Sequence, residues 1–157
     1  MEKKIITTIL LFLVCSLVST TFVSCSKDDN PSENINPYKI CWKTDAKADK
    51  DHYFLVESDG GIFTFDFYRG TPWLWSIKET IYGKSILTKT EFGNRNNLET
   101  SWTSASFVKV DDANNKLTVI IKPSDTMEMR YIYVVVSNSM KSQTIAFKQL
   151  GIYTGNK

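Results

Sequence analysis

The chain predicts an all-β fold, an antiparallel β-sandwich of about seven to nine strands. Three observations carry that reading. Apolar and polar side chains alternate with period two over residues 62–68, 117–122 and 144–150, as a strand with one buried side requires. Turn signals built from Gly, Asn, Asp, Ser and Pro separate these runs at short intervals. No segment carries the apolar spacing of an amphipathic helix of about ten residues or more.

The start of the chain follows other rules. Lys3 and Lys4 precede an apolar run over residues 5–18, too short and too interrupted by Thr7, Thr8 and Cys15 for a membrane span of roughly 20 apolar residues. A basic start, an apolar stretch and then small residues form a secretory signal, here residues 1–24. Val23-Ser24-Cys25 resembles the bacterial lipobox, in which the cysteine is acylated and becomes the new N-terminus. Phe22 departs from the leucine usual at the first lipobox position. Cys15 is a poor rival, because bulky Val14 precedes it. One acyl chain holds a protein only marginally, whereas two or more anchor it stably. The several chains that the lipobox resemblance implies on Cys25 would make a lasting membrane anchor. Ser26-Lys27-Asp28-Asp29 is similar to the surface-export signal of lipoproteins in the Bacteroidetes, so an outer-membrane, cell-surface location is expected.

Residues 25–37 are rich in Ser, Asp, Asn and Pro, with Ile35 as their one large aliphatic side chain. Such a segment cannot bury enough surface to offset the entropy of ordering it, and reads as a tether. It reaches up to roughly 40 Å when extended. The domain is expected over residues 38–157, its first strand near Tyr38 to Trp42. Residues 53–57 form a short apolar run, ended by Ser58-Asp59-Gly60-Gly61, whose glycines supply positive φ. Phe63, Phe65 and Phe67 then share one face, with Thr64 and Asp66 on the other. Past Arg69-Gly70-Thr71-Pro72, the residues Trp73, Trp75 and Ile77 fall on one face, which reads as core. Residues 85–90 are a weaker strand, and Trp102 stands in a Ser/Thr-rich stretch. Leu117, Val119 and Ile121 alternate up to Pro123. Residues 130–137 have the strongest β character and fit a central strand. Asn138-Ser139-Met140-Lys141-Ser142 turns the chain back into a last strand carrying Ile145 and Phe147.

Composition bounds the function. Removing residues 1–24 from the 157 leaves 133, enough for one domain with its own core. The full chain has 19 basic and 17 acidic side chains, and without Glu2, Lys3 and Lys4 the balance is 17 to 16. No basic block appears, so nucleic acid is not an expected partner, and a polyanion is disfavoured on net charge. Of the three cysteines, one leaves with the leader and one carries lipid. Cys41 is therefore expected to be a small buried hydrophobe, with no intramolecular disulfide available in the mature protein and intermolecular pairing as the minor reading.

The turn at residues 58–61, the alternating strand and the tryptophan strand after it resemble the opening of a BACON domain, the Bacteroidetes-associated carbohydrate-binding often N-terminal domain. Leu117-Thr118-Val119-Ile120-Ile121-Lys122-Pro123-Ser124 leads, six residues on, to Arg130. The end, Ile145-Ala146-Phe147-Lys148-Gln149-Leu150-Gly151, is similar to that family's final strand. Ser124 and Phe107 stand where the family usually has asparagine and tryptophan, which loosens any site carried over. The resemblance spans residues 53–151 and implies an immunoglobulin-like sandwich in a surface lipoprotein linked with glycan use.

Catalytic patterns are missing. His52 is the single histidine, in a charged stretch, and reads as a solvated side chain. His and Cys are not spaced for a metal site, no phosphate loop ends in Lys-Ser/Thr, and no serine stands in a nucleophile elbow. The chain is thus expected to be no enzyme and to need no cofactor or metal. Sugar rings stack their C–H faces on exposed aromatics, and Trp102 with Arg95, Asn96 and Asn97 is the candidate contact set. Two functions remain: a module that binds glycans or glycoproteins, and a spacer or assembly partner for other envelope proteins.

Overall fold

The structure is a computed structural model that describes residues 38–81, 84–90, 96–111 and 115–152, with the backbone of 22–23. The predicted anchor Cys25, the export residues Ser26, Lys27, Asp28 and Asp29, the tether and Arg95 lie outside the described residues.

The fold is an all-β sandwich. Its strands in chain order are β1 (Phe22–Val23), β2 (Cys41–Thr44), β3 (Tyr53–Val56), β4 (Gly61–Arg69), β5 (Trp73–Ile81), β6 (Lys84–Thr90), β7 (Asn97–Glu99), β8 (Thr103–Lys109), β9 (Asn115–Ile121), β10 (Arg130–Ser137) and β11 (Ser142–Gln149). One sheet has the order β1-β2-β4-β9-β8-β7 and the other β3-β11-β10-β5-β6. The strands outnumber the sequence estimate because β1 and β7 are only two and three residues long, too short to display an alternation. β10 is the central strand of its sheet, as its composition predicts. One pair departs from the antiparallel expectation: β3 runs parallel to β11, with Phe54 opposite Phe147.

The core lies between the sheets. Phe65, Phe67, Leu117 and Val119 point inward from one sheet; Leu74, Ile77, Ile132, Val134 and Phe147 point inward from the other, all essentially inaccessible. Aromatic rings knit the layers. Phe147 meets Phe63 at 5.0 Å and Phe65 at 6.1 Å between centroids, and Trp42 stands edge-on to Phe65 at 5.1 Å. Such geometries add about 0.5–1.5 kcal/mol per pair beyond area burial. Trp42 keeps its indole N–H satisfied by donating to Gln143 Oε1 at 3.0 Å.

Turns follow their chemistry. Gly60 takes φ 85°, a left-handed conformation that glycine adopts without strain. Asn138 accepts from the Met140 and Lys141 amides through Oδ1, and its Nδ2 donates to the carbonyls of Tyr38 at 2.9 Å and Gly70 at 3.1 Å. One side chain thus closes the β10–β11 hairpin and ties it to two other segments.

Two expectations need correction. Trp75 is 37% exposed, while Leu74, Ser76 and Ile77 are buried. The pairing of β5 with β10 shifts between Val135 and Val136, and that bulge breaks the alternation assumed for Trp73, Trp75 and Ile77. Cys41 is buried, as predicted, but it is disulfide-bonded. The backbone of Phe22 and Val23 pairs with Thr44 and Lys43 on β2, next to it.

Candidate functional site

On the outer face of the β3-β11-β10-β5-β6 sheet the side chains of Tyr131 and Tyr133 stand side by side. β10 alternates, so burying Ile132, Val134 and Val136 turns both tyrosines outward. Register supplies the rest. Tyr133 lies opposite Ala146 on β11 and Lys78 on β5, and Tyr131 lies opposite Lys148 and Thr80. On the far side of β11, Ala146 is opposite Tyr53 of β3. The methyl group of Ala146 leaves room for the flanking rings to lean over it. Tyr53 accordingly meets Tyr133 at 6.3 Å and Tyr131 at 5.6 Å between centroids, both edge-on. The Tyr53 and Tyr133 hydroxyls are 3.3 Å apart, within hydrogen-bond reach.

A cleft of about 810 Å³ opens over these rings, lined also by Asp51, Thr80, Met129 and Lys148. Its rim is fixed by a tight turn. Asp49 Oδ1 accepts from the amides of Asp51 and Tyr53, each at 2.9 Å, and the His52 amide donates to the Asp49 carbonyl at 3.0 Å. His52, solvent-exposed as expected, takes φ 66° at the apex and delivers Tyr53 to the start of β3. The Tyr133 phenol is pushed up to about 12, mainly by burial and next by the bond with Tyr53. At neutral pH it therefore stays protonated, able both to donate and to accept. The arrangement offers aromatic faces for stacking and hydroxyls for hydrogen bonding, with no paired acid and base on the rings.

Of the four residues proposed from sequence, Arg95 lies outside the described residues and the other three sit elsewhere. Asn97 opens the edge strand β7 opposite Ser106, and the carbonyl of Asn96 accepts from the Phe107 amide at 2.7 Å; both side chains are exposed. Trp102 follows β7 and is half-buried, with the Arg130 guanidinium carbon 4.1 Å from its ring centroid. One face of that ring is therefore already covered by a cation. Arg130 is itself fully buried, paired with Asp125, and donates to the Pro123 carbonyl at 3.4 Å. Burial pulls its pKa below the usual arginine value, and the charges of Asp125 and Glu79 oppose that pull.

The tyrosine face was not singled out from sequence. Tyr131 and Tyr133 at i and i+2 were the available signal, since two aromatics on the polar side of a strand are not needed for the core. Tyr53 gave none, because only the parallel β3–β11 pairing brings it to Tyr133.

No protein-family model matches the chain, and no curated protein does. Among solved structures, an NMR structure of a protein from Bacteroides thetaiotaomicron is similar, with a TM-score of 0.48 and 20% identity, over 83% of this chain and 98% of that one.

Proposed function

We propose that this chain is a lipid-anchored cell-surface protein whose sandwich binds glycans or glycoproteins on the Tyr53–Tyr131–Tyr133 face. The observation that carries the binding reading is the cleft itself: three outward tyrosines converge around Ala146, with phenol hydroxyls beside aromatic faces. Large apolar side chains on an outer sheet face do not contribute to the core, and aromatic anchors with a polar rim suit recognition. The lipobox-like Val23-Ser24-Cys25 and the acidic stretch behind it support attachment and display. The BACON-like pattern supports a glycan ligand. The protein acts by holding, and no reaction is assigned to it.

Retention of the detergent-purified protein on immobilised glycans tests the reading, with Tyr131→Ala/Tyr133→Ala as the comparison. Binding that the double variant loses supports it. Failure to hold any glycan leaves the spacer or assembly reading in its place. Mass spectrometry of the mature N-terminus tests the anchor, and an unmodified Cys25 peptide would end it. Surface display predicts that external protease trims the protein on intact cells.

A further inference from the structure

We infer that the tyrosine face selects acidic sugars, carrying carboxylate or sulfate groups, over neutral ones; this rests on the glycan reading above. Two lysines bracket the ring ladder. Lys148 lines the cleft beside Tyr131, and Lys78 lies beside Tyr133 on the opposite flank. They stand two strands and two residues apart, a diagonal of about 12 Å from ordinary sheet spacings. Neither makes a salt bridge with a described carboxylate, whereas Lys116 and Lys122 on the other sheet are paired with Asp66 and Glu99. The side chains that share the outward face of β5, β10 and β11 include Ser76, Thr80, Val135, Thr144 and Ala146, and no acid. Asp51 is the one carboxylate lining the cleft, and it lies at the rim rather than between the lysines.

Phenol rings between two lysines without a described acidic partner match a sugar ring that stacks while its acidic substituent reaches one side. The low net charge of the chain disfavours a general attraction for polyanions. A local pair of lysines on an aromatic face acts differently, through short-range contacts made only by a ligand already stacked there.

The test uses the detergent-purified protein and three probes: polygalacturonate, chondroitin sulfate and an uncharged glucan. The expected result is binding of an acidic probe about tenfold tighter than the glucan, the size that two partly exposed charge contacts supply. Lys78→Gln/Lys148→Gln removes that advantage, and Tyr131→Ala/Tyr133→Ala removes binding altogether, with melting temperature confirming the fold of each. Polygalacturonate without chondroitin sulfate identifies the carboxylate as the recognised group; chondroitin sulfate alone identifies the sulfate. Tyrosine-dependent binding of the glucan that equals the acidic probes overturns this inference and leaves the glycan reading intact. Acidic binding that ignores the tyrosine variant is bare charge attraction and overturns the inference. Binding of no probe overturns both.

Discussion

Two clusters combine aromatic and polar side chains, and they are built in opposite ways. On the outer sheet face, the Tyr53 and Tyr133 hydroxyls lie within hydrogen-bond reach, Tyr131 packs edge-on against Tyr53, and all three still reach solvent. Between the sheets, Glu79, Thr100, Thr103, Arg130 and Gln149 are buried beside Trp102. There Thr100 Oγ1 donates to the Glu79 carboxylate and accepts from the Thr103 amide at 3.2 Å, linking β5 of one sheet to the β7–β8 connection of the other. Gln149 Nε2 donates to the Lys122 carbonyl at 2.9 Å. Yet Glu79 Oε2, Thr103 Oγ1, Arg130 Nε and Gln149 Oε1 have no hydrogen-bond partner among the described residues. Each such group costs about 1–3 kcal/mol. The buried cluster fixes how the sheets meet at a cost in stability, while the open one costs the fold little and is available to a ligand. An aromatic side chain therefore signals recognition only when no buried cation already occupies its face.

Breaking the buried cluster should have the largest effect. Arg130→Met removes the buried cation that pairs with Asp125 and acts on Glu79 at longer range, and a loss of about 3–5 kcal/mol is expected in urea unfolding. Adding Glu79→Leu removes the stranded charge, so the double variant should recover much of that loss. A double variant no better than Arg130→Met would mean that Glu79 and Arg130 do not act as a pair.

Trp102→Ala should come next, at about 1–2 kcal/mol from lost packing and cation–π contact. It should leave tyrosine-dependent glycan binding unchanged. If binding falls while stability does not, the contact set of Trp102, Asn96 and Asn97 is the true ligand edge.

The open cluster should show itself in titration rather than in stability at neutral pH. With Tyr133 raised to about 12 from the ordinary value near 10, the folded state favours the protonated phenol. Its contribution is fully present below pH 10 and is lost as pH rises through about 12. Absorbance of tyrosinate in the folded protein should show Tyr133 titrating late, and Tyr53→Phe should bring it part of the way down, since burial is the larger cause. A Tyr133 that titrates at the ordinary value in the parent protein would dismiss the coupling.

Much of this fold is legible locally. Phe63, Phe65 and Phe67 announce a buried face, residues 130–137 announce a central strand, and Asn138 announces the turn that its side chain then closes. What escapes the sequence is set by register. A bulge opposite Val135 and Val136 turns Trp75 outward without any local mark. The Tyr53–Tyr133 contact, across 80 positions, depends on the parallel pairing of β3 with β11, which no turn signal encodes. Trp102 is conspicuous among hydroxyl residues, but the arginine beneath it comes from another sheet.

The smallest expected change concerns Cys41, and it bears on the proposed anchor. Besides Cys41, the chain holds two cysteines, Cys15 and Cys25. Export as a lipoprotein, as proposed, would take away both. Cys15 would leave with residues 1–24, and acylation would turn the Cys25 sulfur into a thioether that cannot enter a disulfide. The processed protein should therefore carry one thiol, on a side chain with no exposed surface. A thiol-reactive dye should fail to label it in buffer and label one equivalent in denaturant, with the fold otherwise unchanged. Recovery of a Cys25 peptide cross-linked to the Cys41 peptide would show that the sulfur of Cys25 was never acylated. The lipid anchor would fall with that result, while the tyrosine face would stand untouched.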